Sequence, residues 1–348
     1  MKLRGFSLLA AVAAFAVLAA PAGAARRPIK LLETANLLGP SHAFHDTVLA
    51  RSPNVRRLFD SGGQYTTKDG MTVNIDVSSS YAPDPVRDQA IADFLDSLAH
   101  GTELSKLTVY VGTFPEVQGI CGTAALACYL PGRASLFVPG EDPPDGTPVE
   151  QIITHEYGHH VAAFRSNPPW NAVEWGPKHW ASYMGICPRQ AAGLVFPGDE
   201  GAHYSLNPGE AWAETFRVLN VQLVGAAAGW TDIGWPIVDP IFLPDATALA
   251  NAQADVLQPW TVGTVKHATG KLKKNGVRRF TIKTPLDGNA AATLTSSHGA
   301  TAVFFDVKGH PLSTRSASTR ALVCGETSVM LSVRAKAGGT FKLAYVTP

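Results

Sequence analysis

The segment His155-Glu156-Tyr157-Gly158-His159 sets two imidazoles and a carboxylate at a spacing that can do chemistry. Four residues advance a helix by about 400°, so His155 and His159 leave one helix face a single turn apart. Two neutral imidazole nitrogens at that separation can grip one divalent cation, and zinc suits them best. Glu156, offset by one residue, sits beside such a metal without binding it. There it can take a proton from a metal-activated water, which is the chemistry of hydrolysis. His160 faces about 100° away from His159 and reads as a supporting or solvated group.

A catalytic metal of this kind needs a third protein ligand. Glu210 and Glu214 lie one helical turn apart on a later segment, Glu210-Ala211-Trp212-Ala213-Glu214, and share a face. Glu210 has a second possible role. It stands at the third position of the helix start Asn207-Pro208-Gly209-Glu210 and could close a capping box, leaving Glu214 as the free carboxylate.

The elements that must carry these groups are legible in outline. Thr147-Pro148-Val149-Glu150 reads as a helix start, with Thr147 the N-cap and Glu150 completing a capping box; the helix should reach about Arg165 and stop before Pro168-Pro169. The second helix should run from Asn207 to about Val224. Residues 64–76 read as a hairpin turning at Lys68-Asp69-Gly70. A helix is expected from Pro85 to Leu98, with Val86, Ile91, Phe94, Leu95 and Leu98 on its apolar face. Strands are expected at Leu107–Val111 and Ala134–Val138. Trp170, Trp175, Trp180 and Trp212 read as packing residues rather than a carbohydrate platform.

The two helices together, H-E-x-G-H and about fifty residues later N-P-x-E-x-x-A-E, resemble the gluzincin metallopeptidases, the group of thermolysin. The segment Glu210 to Phe216 is most similar to the anthrax lethal factor type of catalytic domain. The subfamily that adds a Gly and a third His after the second His does not fit, because those offsets hold Ala162 and Arg165. The resemblance implies one Zn²⁺ per chain, held by His155, His159 and Glu210, with Glu156 as base. It implies that Glu214 bonds a ligand His, and that Tyr204, or His203 beside it, stabilises a tetrahedral oxyanion. It also implies a twisted sheet whose edge strand pairs with an extended protein or peptide substrate, and Ala134–Val138 is the candidate edge.

Composition frames these readings. The chain has 348 residues, 45% of them apolar and 16% charged, enough for a large core. Lys2 and Arg4, the apolar run Phe6–Ala20 and Ala22-Gly23-Ala24 read as a signal peptide over residues 1–24, so the protein should be secreted. The formal charge of +1 falls to −1 without the two leader cations, Lys2 and Arg4, which argues against nucleic acid as partner. Once the leader is cleaved no membrane contact is expected, and Lys271, Lys273 and Lys274 read as a solvated turn. Four cysteines in an exported chain read as two disulfides: Cys121 with Cys128 across a short Gly/Ala-rich loop, and Cys187 with Cys324 by elimination. After Pro259 short β runs appear: Arg278–Lys283, Ala291–Thr295, Ala302–Val307, Ser328–Val333 and Thr340–Val346. This tail resembles the bacterial pre-peptidase C-terminal type of β domain in Phe304–Gly309 and Gly338–Leu343.

The expected architecture is therefore α+β: a zincin-like metallopeptidase domain over 25–259, then a small all-β sandwich over 260–348. The expected function is a secreted zinc-dependent peptidase. The rival readings are a catalytically silent secreted binding or adhesion protein that keeps the zincin fold, and a purely structural zinc site.

Overall fold

A computed structural model describes residues 45–49, 58–225 and 238–348. The expected leader and the pairs Arg26-Arg27 and Arg56-Arg57 lie outside the described residues. The fold is mixed α and β, with a large apolar core and a smaller cluster at Phe59, Leu130 and Phe137 in the first part of the chain, and a further core built from residues between Leu272 and Leu343.

A six-stranded sheet carries the first core. Its strands are β1 (His45–Val48), β2 (Phe59–Thr66), β3 (Thr72–Ser78), β4 (Thr108–Gly112), β5 (Ala125–Leu130) and β6 (Ser135–Pro139), in the order β1-β5-β6-β4-β3-β2. The hairpin turn falls at residues 67–71, as the Lys68-Asp69-Gly70 signal expects. Two strand expectations need correction. The segment at 134–138 is not an edge: β6 lies between β5 and β4, and the edges are β1 and β2. The strand also starts one residue late, because Ala134 sits in a left-handed turn at φ 50°. The supposed loop between Cys121 and Cys128 holds the first half of β5, whose six residues are all buried.

Helix α1 (Pro85–Ser97) packs on β2 and β3. Val86 does not belong to its buried face, being 80% exposed, whereas Asp88 is buried and accepts a hydrogen bond from the Tyr65 hydroxyl. Helix α2 (Phe114–Cys121) ends on the first disulfide, Cys121–Cys128. Helix α3 (Val149–Ala163) lies across β5 and β6. Thr147 is not its N-cap: the first helical residue is Val149, and Asp142 Oδ1 accepts the Val149 N–H from seven residues upstream. Short helices α4 (Ala172–Trp175), α5 (Lys178–Tyr183) and α6 (Ile186–Ala191) come next, followed by α7 (Pro208–Asn220) and α8 (Ala246–Leu257). Among the described residues no helix is long and apolar enough to cross a membrane.

The C-terminal part forms two antiparallel sheets around the further core. Strands β7 (Lys266–Leu272), β9 (Gly288–Ser296), β11 (Ser318–Val323) and β13 (Gly339–Val346) make one sheet, ordered β11-β9-β13-β7. Strands β8 (Val277–Lys283), β10 (Thr301–Phe305) and β12 (Ser328–Arg334) make the other, ordered β10-β12-β8. The disulfide Cys187–Cys324 ties α6 to the end of β11. The Asp287 N–H adds a bond to the Ser182 hydroxyl at 2.9 Å.

Candidate metal centre

Helices α3 and α7 hold the site between them, and the sequence explains how closely they approach. At Gly158 an added Cβ would stand 2.9 Å from the Ala213 Cα, so only glycine lets the two backbones meet there. The Trp212 indole N–H donates to the Gly158 carbonyl at 2.8 Å, locking the crossing. Trp180 packs edge-to-face on Trp212, both fully buried, so these two tryptophans are core. Helix α7 is capped by Asn207 alone, whose side chain accepts from the Gly209 N–H at 3.0 Å. Glu210 is therefore free of the capping duty and points into the site.

His155, His159 and Glu210 are all buried, and one ligand atom from each lies within 4.8 Å of the others. Glu210 Oε2 stands 3.1 Å from His155 Nε2 and 3.4 Å from His159 Nε2. Ligand atoms about 2.0–2.1 Å from a tetrahedral zinc would be roughly 3.3 Å apart, so the spacing matches a common cation. On the far side of its ring, His155 Nδ1 donates to Glu214 Oε1 at 2.8 Å. That bond leaves the Nε2 lone pair of a neutral ring aimed at a carboxylate oxygen, an arrangement that calls for a cation between them or a proton on the ring. His159 makes no hydrogen bond through either nitrogen although it is buried, and neither does Glu210 Oε1. Unsatisfied buried groups of this kind are expensive unless something binds them. The donors present thus fit a metal ion.

The surrounding charges hold the carboxylates ionised. Burial alone would raise the Glu210 carboxyl, but the attraction of the neighbouring His159 and His155 imidazoles outweighs it and holds the group well below the usual carboxylate range. For Glu214 burial is overcome first by Arg217, then by His155, and the carboxyl falls to about 2. Arg217 grips Glu214 at 2.7 Å and also donates to Gln151 on α3 at 2.7 Å. Glu156 is buried on the same helix as the two histidines.

The other expected residues divide. The Tyr204 hydroxyl donates to Glu210 Oε2 at 2.8 Å, which brings it to the centre. His203 turns away: it bonds Asp199 at 2.7 Å, stacks on Phe196 and is partly exposed. His160 is neither solvated nor a ligand. It bridges Tyr129 on β5 and the Glu103 carbonyl, and burial lowers its pKa to about 4, so it stays neutral.

Glu200 is the residue that sequence reasoning missed. Burial, then the nearby Glu210 carboxylate, push its carboxyl up to about 8. It accepts from the Thr47 hydroxyl and the Val48 N–H, both at 3.3 Å, and from the Asn207 amide at 2.8 Å. Strand β1 is thereby tethered beside the candidate metal ligands. No short motif marks this residue: its strand partner Thr47 comes from 153 residues upstream, and the nearer Asn207 reads as a helix cap. Arg217 was findable, since Glu214 and Arg217 stand three apart on an expected helix.

Comparison with protein-family models and with curated proteins gives no match. Among solved structures, a mitogen from Yersinia pseudotuberculosis aligns at 11% identity over 25% of this chain and 88% of its own, with a TM-score of 0.21. A family GH115 4-O-methyl-α-glucuronidase with specificity for decorated arabinogalactans aligns at 9% identity over 57% of this chain and 38% of its own, with a TM-score of 0.19. At these scores neither likeness bears on the fold or the site.

Proposed function

We propose that this protein is a secreted zinc-dependent peptidase, with a zincin-like domain followed by a β-sandwich. The observation that carries the reading is the buried set His155, His159 and Glu210, backed by Glu214 on His155 and flanked by Glu156. Two imidazoles and one carboxylate are a ligand set that zinc enzymes use, and three ligands leave a position open for chemistry. When bound, the metal supplies Lewis-acid polarisation of a carbonyl and of water.

The chain's own groups do the rest. Glu156 receives the proton of the attacking water and passes it to the leaving amine. Glu214, kept ionised by Arg217, fixes the tautomer and orientation of His155. The Tyr204 hydroxyl, already within the ligand cluster, is the donor available to a developing oxyanion. A closed structural site would want a fourth Cys or His ligand. Both disulfides consume the cysteines, leaving none free, and they suit the oxidising compartment that secretion implies.

The test is casein hydrolysis by the purified protein together with its zinc content. Hydrolysis should stop on chelation and return with added zinc. A protein that holds zinc but cleaves nothing would favour the silent binding reading. One that holds no zinc would sink both.

A further inference from the structure

The formal charge of +1 conceals two opposed halves. Residues 25–259 carry fourteen Lys and Arg against twenty-five Asp and Glu, a formal −11. Residues 260–348 carry thirteen against three, a formal +10. The three acids of the second half are Asp287, Asp306 and Glu326. Among the described residues, none of the thirteen cations is in an ion pair with a carboxylate.

Strand register shows where that charge gathers. Lys283 pairs with Ser328 at the end of the unit nearest Asp287 and the Cys187–Cys324 bridge, while Val277 pairs with Arg334 at the opposite end. At that far end two crossings between the sheets lie side by side: the β7–β8 turn at residues 273–276 and the β12–β13 turn at 335–338. The Asn275 N–H bonds the Lys336 carbonyl at 3.1 Å, and the Ala335 N–H bonds the Gly276 carbonyl at 3.2 Å. Gly338 packs within 3.0 Å of the Lys273–Lys274 backbone, measured from its would-be Cβ. The result is a rim of six exposed cations: Lys271, Lys273, Lys274, Arg278, Arg334 and Lys336. None of the three acids is on either turn.

We propose that this distal rim binds an anionic polysaccharide and tethers the chain to it. Six like charges, three on two bonded turns and three on the adjoining strand ends, repel one another, and a polyanion relieves that repulsion by displacing its own counterions. The choice of carbohydrate rests on what surrounds the charges. The exposed neighbours on these turns and strand ends include Asn275 and Thr340, which hydrogen-bond hydroxyls; no Phe, Tyr or Trp ring is exposed there to stack bases, and the exposed His298 imidazole against Gly339 is bonded to the Ser297 hydroxyl. Phe341 is buried, and the Phe280 ring lies under Arg278. Val277 is the one large apolar side chain exposed there, too little to anchor in a bilayer. Because the rim is opposite the bridged end, a bound polymer leaves the junction with the first unit clear.

Full-length protein titrated with heparin, as the probe, at several salt concentrations tests the proposal. The variant K273Q/K274Q/K336Q should bind more weakly and reduce the slope of log affinity against log salt by about 2–3. The variant K283Q/K308Q/R320Q removes the same charge away from the rim and should leave the slope within about one of the parent. Circular dichroism and an intact Cys187–Cys324 bridge show that both variants are folded. Equal losses in the two variants, or no heparin binding at about 100 mM salt, would overturn the rim. Tighter binding of oligothymidylate or of phosphatidylglycerol vesicles than of heparin would overturn the carbohydrate assignment.

Discussion

Glu210 and Glu214 stand one turn apart on the same helix face, yet their surroundings set them different tasks. Glu210 meets both imidazoles, while Glu214 lies behind His155 and is neutralised by Arg217. Glu210→Gln should therefore release zinc at modest chelator concentration. Glu214→Gln should retain zinc with about 10–100-fold weaker affinity or activity. Competitive zinc titration of the two variants reads the order directly, and the reverse order would mean the ligand is misassigned. Arg217→Gln should cost about 3–5 kcal/mol in urea unfolding, because it leaves a buried carboxylate without its counter-charge. A loss below about 1 kcal/mol would show that His155 alone suffices for Glu214. The spacing of the two histidines and of the two later carboxylates was enough to find these residues, because a helix converts sequence offset into a shared face. Glu200 was hidden because the strand it holds, through Thr47 and Val48, is separated from it by a long stretch of chain.

The crossing of α3 and α7 decides whether those side chains can meet at all. Gly158→Ala would gain about 1 kcal/mol in helix propensity. Against that, the new methyl meets the Ala213 Cα at 2.9 Å, a backbone atom that cannot swing aside. Overpacking typically costs about 1–3 kcal/mol, so the net effect should be a loss of stability and weaker zinc binding. Thermal unfolding with and without zinc measures both, and a stabilised variant with unchanged zinc affinity would contradict this packing. Other elements were less legible. Strand β5 shows no alternation because both of its faces are buried, so it reads as a loop from sequence alone. Strand β7 contains Lys and a central Gly, and β11 alternates in only six residues; neither was expected. The start of α3 was misplaced because its cap arrives from Asp142 across a loop rather than from the adjacent threonine.

The whole molecule couples the large core and the further core through one covalent bridge. Removing Cys187–Cys324 should cost about 2–5 kcal/mol, since it closes a loop with a sequence separation of 137 residues. The Cys187→Ser/Cys324→Ser double variant, compared with the parent in guanidinium unfolding, checks this. A cost near zero would mean that the contacts around Ser182 and Asp287 hold the units together unaided. Net charge, by contrast, conceals an asymmetry, because a strongly acidic first half and a strongly basic second half nearly cancel. The rim at Lys273 and Lys336 became visible only when strand register brought two separate turns together.

The most direct test of the peptidase assignment is turnover on a casein-derived peptide by the parent and by Glu156→Gln, both first shown to bind one equivalent of zinc. The substitution is nearly isosteric and removes only the base. The expected result is cleavage by the parent and a loss of about 10²–10⁴ in rate for the variant, at equal zinc content. Parent and variant rates within a few fold of each other, or a zinc-loaded parent that cleaves nothing, would contradict it.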